Sequence, residues 1–588
     1  MKTPLIPAIH KLSMPIVIAL LVTPASASDK KNGPYGAESL TAWPLTSTIL
    51  NINQVSCWAR NDGWNARDPA NGNVGLMFPR GKVGTVFQDG ILWGGKVFDG
   101  GTLNPRVGGQ TYQVGTLPGR IIAPGIQPDT SDSTVRIYRI RADFRTADLR
   151  LDAAELNRVS LGQVTPAMVR AVRTQYEKDW NEWPWQQGAP FYDSNNNSVR
   201  DTGESPGLAN ADQVIWYVAN DLNEALVGAL YDSPPIGLEM QVTMWGYRTD
   251  IPPWSSTILK RVKLIYKGTA LTPANAHIDS MFIAQWSDTD LGDAGDDFAG
   301  CDTSLALNYV YNGESSDKDY AMFQIPPPAV GYQFVQTPTV SGDHSDSAIV
   351  DLQYVRGKRN VDMYSMIFLA PGGEEPPWRY PSYYFLMRGL HFYSAVPFVH
   401  PSLPNDTTRF WLDGDPVAGT GRLDGIISVV GDRRIMGSAG PFTMALGDTQ
   451  EIVIATMVAP GSSNIESVRQ LRYFAMHVRD DFHSLLDGHV LNPDNHLTLA
   501  PTRFFLHPTY PNPFNPATVI RYEIGYQLRV RIRVFDILGR EVATLVDEVK
   551  GPGDYEVSWD GAGFASGVYI FSIEAGPYFR SMKGLLLK

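Results

Sequence analysis

The sequence predicts a mainly β chain: a multi-domain β-sandwich body with a few helices, followed by a C-terminal β-sandwich. Three observations carry this. There are 54 glycines and 43 prolines among 588 residues, a density suited to many short strands joined by turns. Hydrophobic residues make up 43% and charged residues 19%, which is enough apolar side chain for folded cores. Near the C-terminus, Leu528, Val530, Ile532 and Val534 alternate with Arg529, Arg531 and Arg533, the period of a strand with one buried and one solvated face.

Residues 1–27 read as a secretory signal peptide. Lys2 and Lys11 are the only charges before Asp29, Met14–Thr23 is a short apolar run, and Ala25-Ser26-Ala27 is a small-residue cleavage pattern. The run is about half the ~20 residues a membrane helix needs, and no later stretch is apolar enough to span a bilayer. Residues 28–145 form an N-terminal β-rich region, with turn clusters such as Asp89-Gly90, Asp99-Gly100-Gly101 and Gly108-Gly109. Residues 146–230 are mixed. Thr165 followed by Pro166 is a helix start, the periodic run Met168–Trp180 continues it, and a polar loop follows from Gly188 to Gly207. Residues 231–505 return to strand patterns and carry one late helix over 464–486, with Ile465, Val468, Leu471, Phe474, Ala475, Val478 and Phe482 spaced mostly by three or four. Residues 506–588 form a separate unit, set off by the proline-rich run from His507 to Thr518 and by charge. This unit holds nine basic and nine acidic residues, so the chain's net -12 belongs to what precedes it.

An acidic chain without a basic stripe excludes nucleic acid as a partner, because phosphate binding needs clustered Lys and Arg. Two cysteines exclude a zinc-thiolate centre and a disulfide framework. In an exported chain Cys57 and Cys301 read either as one disulfide or as two separate buried thiols. There is no H-E-x-x-H, no P-loop and no dinucleotide fingerprint. Gly203-Glu204-Ser205-Pro206-Gly207 matches G-x-S-x-G only in letters, since Pro206 lacks the N–H that an oxyanion hole takes from that position.

Asp193–Glu204 is the strongest chemical signal. Oxygen donors fall at positions 1, 3 and 5 (Asp193, Asn195, Asn197), at 7 through the carbonyl of Val199, at 9 (Asp201) and at 12 (Glu204). Ca2+ takes six to eight hard oxygens, and this spacing wraps a loop around one ion. The pattern resembles the EF-hand-type loops of extracellular calcium modules, with Ser198 in place of the usual glycine at position 6. That serine, and Pro206-Gly207 where a helix would exit, lead to the expectation of a solitary structural Ca2+ loop of weak affinity, ~10⁻⁴–10⁻³ M. The other reading is an Asn/Asp/Gly turn without metal. Asp288, Asp290, Asp293, Asp296 and Asp297 crowd a second segment, which reads as a flexible acidic loop or a second calcium site. A third reading makes two of them the acid and base of a glycosidase. Trp180, Trp183, Trp185 and Tyr192 read as packing residues or as a sugar-stacking platform.

Within 506–588, Tyr510-Pro511-Asn512-Pro513-Phe514-Asn515-Pro516, Val534–Val542 (which includes Gly539-Arg540), Gly553, Trp559-Asp560-Gly561, Ala565-Ser566-Gly567-Val568-Tyr569 and the basic ending with Lys583 and Lys588 follow one another in a known order. This unit resembles the type A C-terminal sorting domain of type IX secretion cargo, and it is similar to the Ig-like domain of the flagellar hook-capping protein. The resemblance implies an Ig-like β-sandwich and an exported chain. Its partners would be the general secretion machinery, the type IX translocon and a sortase-like protease. Gly539, Arg540, Gly567, Tyr569, Lys583 and Lys588 would be its sorting residues, and the destination the outer cell surface or the medium. Parts of the body, such as Gly75–Val97, also resemble uncharacterised cargo of this route. The sequence then reads as a surface or secreted protein whose body is an adhesive, glycan-binding or scaffold module braced by Ca2+. The alternative is a secreted polysaccharide-degrading hydrolase that uses the Asp-rich segment.

Overall fold

The computed structural model describes residues 45–588 except 101–103, 130, 196, 209, 371–379, 487–504, 508, 525–527, 551–552 and 576–577. The signal segment 1–27 lies outside the described residues. The chain is mainly β, and among the described residues every ladder within the large sheets is antiparallel.

Two sheets build the body. A nine-stranded sheet runs in the order Asp297–Asp302, Leu307–Asn312, Ala329–Gln336, Thr449–Ala459, Thr257–Tyr266, Leu238–Gly246, Gln213–Asn220 and Leu117–Pro118, with Tyr138–Arg141 also paired to Gln213–Asn220. A five-stranded sheet runs Met363–Leu369, Arg433–Ala445, His277–Thr289, Gln88–Phe98 and Asn104–Gly109. Strands from either side of residues 145 and 230 therefore share both sheets.

The main core lies between these sheets. Tyr217, Val242, Val262, Ile452 and Ile454 of one meet Leu92, Ile283, Trp286 and Met436 of the other. The nine-stranded sheet is covered on its second face too. Val453, Ala455 and Met457 join a second core with Val468, Leu471, Phe474, Ala475, Val478 and Phe482 of the helix Asn464–Leu486. A strand buried on both faces has no polar side to show, which is why Thr449–Ala459 reads as a nearly unbroken apolar run. Ser463 caps the helix by accepting the Glu466 N–H at 3.2 Å. The helix Pro166–Asn181 begins where its cap predicts, with Thr165 Oγ1 accepting the Met168 N–H at 3.3 Å.

Cys57 and Cys301 are not joined. Both are buried free thiols. Cys57 belongs to the strand Ser56–Arg60 of a separate four-stranded sheet, while Cys301 sits in the edge strand of the nine-stranded sheet. The disulfide reading gives way to that of two core residues, and burial pushes both thiols up, away from the reactive thiolate.

The C-terminal region is β-rich. Phe505–Leu506, Ala517–Ile524 and Gly553–Asp560 form one sheet, and Glu541–Lys550, Leu528–Phe535, Gly567–Ala575 and Tyr578–Leu586 form another. Its two cores are Phe514, Ile520, Val534, Trp559, Tyr569, Phe571 and Leu586, then Tyr522, Ile524, Val530, Ile532, Val546, Ile573 and Ala575. The outward arginines face acids on neighbouring strands. Arg529 pairs with Asp547, Arg531 with Asp547 and Glu574, and Arg533 with Glu541 and Glu574. The stripe is thus balanced in place. Gly539 takes φ +76° at a hairpin tip that Arg540 closes by donating Nε–H to Asp536 Oδ2 at 2.7 Å. Tyr569 donates its hydroxyl to Ala565 O at 2.9 Å, and the Lys588 Nζ donates to Ala562 O at 2.7 Å. Gly567 opens the strand that carries Tyr569, and Lys583 lies opposite Ile570 in the last ladder.

Candidate metal centre

The loop Asp193–Glu204 leaves and re-enters the body through a short ladder. Phe191 bridges Pro206, Tyr192 N donates to Ser205 O at 3.0 Å, and Gly207 N donates to Pro190 O at 2.9 Å. Nearby tryptophans pack inward. Trp183 is buried in the second core and donates Nε1–H to Pro190 O at 2.7 Å, and Trp180 and Trp185 lean against that core. Only Tyr192 is substantially exposed, so packing, not a sugar platform, is what the tryptophans do.

Inside the loop the polar side chains are tied to backbone N–H groups and, through two amides, to Asp201. Asp193 accepts the N–H groups of Asn197 at 3.1 Å and Ser198 at 2.7 Å. Asn195 Oδ1 accepts the Asn197 N–H at 3.0 Å, and Asn197 Oδ1 accepts the Val199 N–H at 2.7 Å. The amides of Asn195 and Asn197 each donate to Asp201 Oδ2 at 2.8 Å. Glu204 closes the turn, taking the Asp201 N–H on Oε2 at 2.9 Å and the Ser194 N–H on Oε1 at 2.7 Å. These donors, the Asp201 N–H foremost, hold its carboxyl below the usual range. Ser198 takes φ +61°, the left-handed conformation that a glycine at position 6 would supply. Val199 lies at the rim with its side chain exposed. The donor set is five hard-oxygen side chains around one turn, a composition that fits Ca2+. Asp193, Asn195, Asn197, Asp201 and Glu204 would hold the ion, which would replace the amide donors on Asp201 and tie the turn together.

The Asp-rich segment divides into separate environments. Asp288 and Asp290, at the end of the strand His277–Thr289, meet Asp432, and one oxygen of each lies within 4.8 Å of the others. Among the described residues this is the one acidic trio so close. Asp432 was missed from sequence because it is distant in the chain. It arrives by register, since Asp288 stands opposite Arg434 in the ladder. Tyr112 and Arg434 flank the trio, and burial, then Asp288, pushes the Tyr112 phenol well up.

The other three leave this group. Asp293 accepts from Lys318 Nζ at 2.6 Å and from Gly295 N at 3.1 Å. Asp297 turns into the interior, where its Oδ2 accepts the Leu291 N–H at 3.2 Å and burial raises its pKa well above the ordinary range. Asp296, which ends the short helical turn Ala294–Asp296 just before that strand, accepts from Asn312 Nδ2 at 2.6 Å. A second site made of all five is thus replaced by a trio in which Asp432 stands for Asp293, Asp296 and Asp297.

Partial burial, then Asp317 and Asp293, raises the Asp296 pKa from 3.8 to about 7. A carboxyl raised by folding favours the protonated native state. Its contribution to stability is full below 3.8 and is lost as pH rises through about 7. The melting temperature of wild-type protein is expected to fall across that window, and Asp296→Asn to flatten the fall. Superimposable pH profiles of the two proteins would show that Asp296 is not the titrating group.

Comparison with known proteins adds the following. Residues 508–587 match the family model described as the secretion system C-terminal sorting domain. No curated protein matches the chain. Solved structures similar to it include a polysaccharide lyase at 7% identity and TM-score 0.16, covering 59% of this chain and 34% of that one. The dimeric latent PorU of Porphyromonas gingivalis is similar at 9% identity and TM-score 0.13, covering 64% of this chain and 31% of that one. PorZ, a surface component of the type IX secretion system of the same organism, is similar at 11% identity and TM-score 0.12, covering 68% of this chain and 47% of that one. The chain spans about a third of the lyase and PorU chains, and at these scores none of the three carries an argument. The sorting domain does. It marks the chain as type IX secretion cargo, bound for the cell surface or the extracellular space.

Proposed function

We propose that the exported chain is a surface or secreted protein whose body is a non-catalytic adhesive, glycan-binding or scaffold module braced by Ca2+. Export is carried by the sorting domain at 508–587, which implies contact with the type IX machinery. Our reading extends this to the general secretion machinery at the start of the route, to a sortase-like protease at its end, and to a surface glycan as the ligand of the body. The observation supporting the body's role is the calcium-type spacing of Asp193, Asn195, Asn197, Asp201 and Glu204 in a hydrogen-bonded loop pinned at its base to a sandwich with two packed cores. Such a loop stiffens a surface without touching a substrate. The hydrolase alternative draws less support, because Asp293 is tied to Lys318 and Asp297 points inward, away from any shared substrate face.

Calcium titration tests the brace. At a free concentration ten times the dissociation constant, one ion bound only to the native state adds about 1.4 kcal/mol. For a chain of this size that is a rise of about one degree in melting temperature. Asp193→Ala combined with Glu204→Ala is expected to abolish the rise while leaving the calcium-free melt nearly unchanged. Equal calcium shifts in wild type and double variant would remove the loop from the account.

A further inference from the structure

One buried ion pair joins the two body sheets through a lysine. Lys260, on Thr257–Tyr266 of the nine-stranded sheet, places Nζ 2.9 Å from Oδ1 of Asp89, on Gln88–Phe98 of the five-stranded sheet. Their side chains are 2% and 4% exposed. Other buried carboxylates, Asp152, Asp424 and Glu451, are held by arginines, whose guanidinium stays charged and is no nucleophile. Lys267, which pairs with buried Glu239, is itself partly exposed. The space around Lys260 and Asp89 is lined by Cys57, Leu76, Met244, Ile258 and Thr456, a largely apolar enclosure.

The two side chains meet away from water, with the amine nitrogen in contact with a carboxylate oxygen. A desolvated lysine amine is a nucleophile. Held in contact with a carboxyl group away from water, it has the high effective concentration of an intramolecular reactant. We propose that Lys260 and Asp89 condense to an amide, an intramolecular isopeptide bond that crosses the sandwich.

The step balances without an oxidant or a cofactor. A proton passes from the Lys260 ammonium to the Asp89 carboxylate. The amine lone pair then attacks Cγ, the Nζ–Cγ bond forms, and the C–OH bond breaks. The hydroxyl departs with a proton from nitrogen as one water. Protonated groups that feel the charge of Asp89 stand nearby, the Cys57 thiol and the Tyr217 and Tyr332 phenols, all kept protonated by burial. The bond would fix the two sheets to each other in a chain whose two cysteines are free.

The test is mass spectrometry of the full-length protein, reduced, denatured and digested. The expected result is a branched peptide that joins the segment holding Asp89 to the segment holding Lys260, lighter than their sum by one water. Lys260→Arg and Asp89→Ala should lack it, and should run more slowly than wild type on a denaturing gel. Recovery of both wild-type segments unlinked and in full yield would overturn the proposal and leave a buried ion pair only. That reading comes from wild-type protein alone, so it stands even if a variant fails to fold.

Discussion

Cells that produce the chain without residues 508–588 are expected to keep it in the periplasm, while the full-length protein reaches the surface or the medium. Retention should not reflect a broken body. Among the described residues, the two large body cores contain no buried residue beyond Phe482, and the buried residues of the two C-terminal cores begin at Phe514, with only Leu506 packed against them from before it. A point variant separates sorting from truncation. Trp559 is buried against Phe514, Phe564, Tyr569 and Phe571. Trp559→Ala should cost the C-terminal sandwich about 3–5 kcal/mol. Export should fall with it, while the thermal unfolding of the body stays in place. Fractionation of cells and medium, read by immunoblot, gives the answer, and undiminished export of the truncated chain would remove the sorting role.

Arg433→Met should destabilise the body by about 3–5 kcal/mol, the cost of leaving one member of a buried ion pair alone. Arg433 and Asp424 are both fully buried, with side-chain exposure of 0%. The guanidinium donates Nε–H to Asp424 Oδ2 at 2.7 Å and Nη2–H to Oδ1 at 3.2 Å, and it also donates to the carbonyls of Val429, Gly431 and Asp432. It therefore folds the segment 424–432 around itself and sets Asp432 beside Asp288 and Asp290. Asp424 in turn accepts the Ala299 N–H at 2.8 Å, which ties this segment to the edge of the nine-stranded sheet. Denaturant unfolding measures the loss. Pairing Arg433→Met with Asp424→Asn should recover part of it, because no unpaired charge is then left inside. A single variant as stable as wild type would mean that the ion pair adds nothing to the fold.

What could be read before the structure follows from where each signal resides. The helix Asn464–Leu486 was legible end to end because its cap and its apolar stripe are local. The alternation over Leu528–Phe535 was legible because one face meets core and the other meets water. That Asp193–Glu204 forms a hydrogen-bonded turn was legible because its polar residues are contiguous in the chain, and Ca2+ in it is our proposal. The pairing of Gln88–Phe98 with His277–Thr289 was not, since strands covered on both faces carry no period that names a partner. The same blindness hid Asp432 from Asp288 and Asp290, and Asp89 from Lys260. Cys57 and Cys301 left two readings open for a related reason. Cysteine is as readily a small core residue as a bridge, and only the placement of its strand distinguishes the two.

The measurement that tests the central claim most directly uses secreted full-length protein, with and without calcium, incubated with a panel of polysaccharides and proteins. Retention on the solid phase and released soluble product are both recorded. The account predicts calcium-dependent retention on at least one polymer and no released product. Release of oligosaccharides or peptides above the level of a heat-denatured control would contradict it, and would make the body an enzyme.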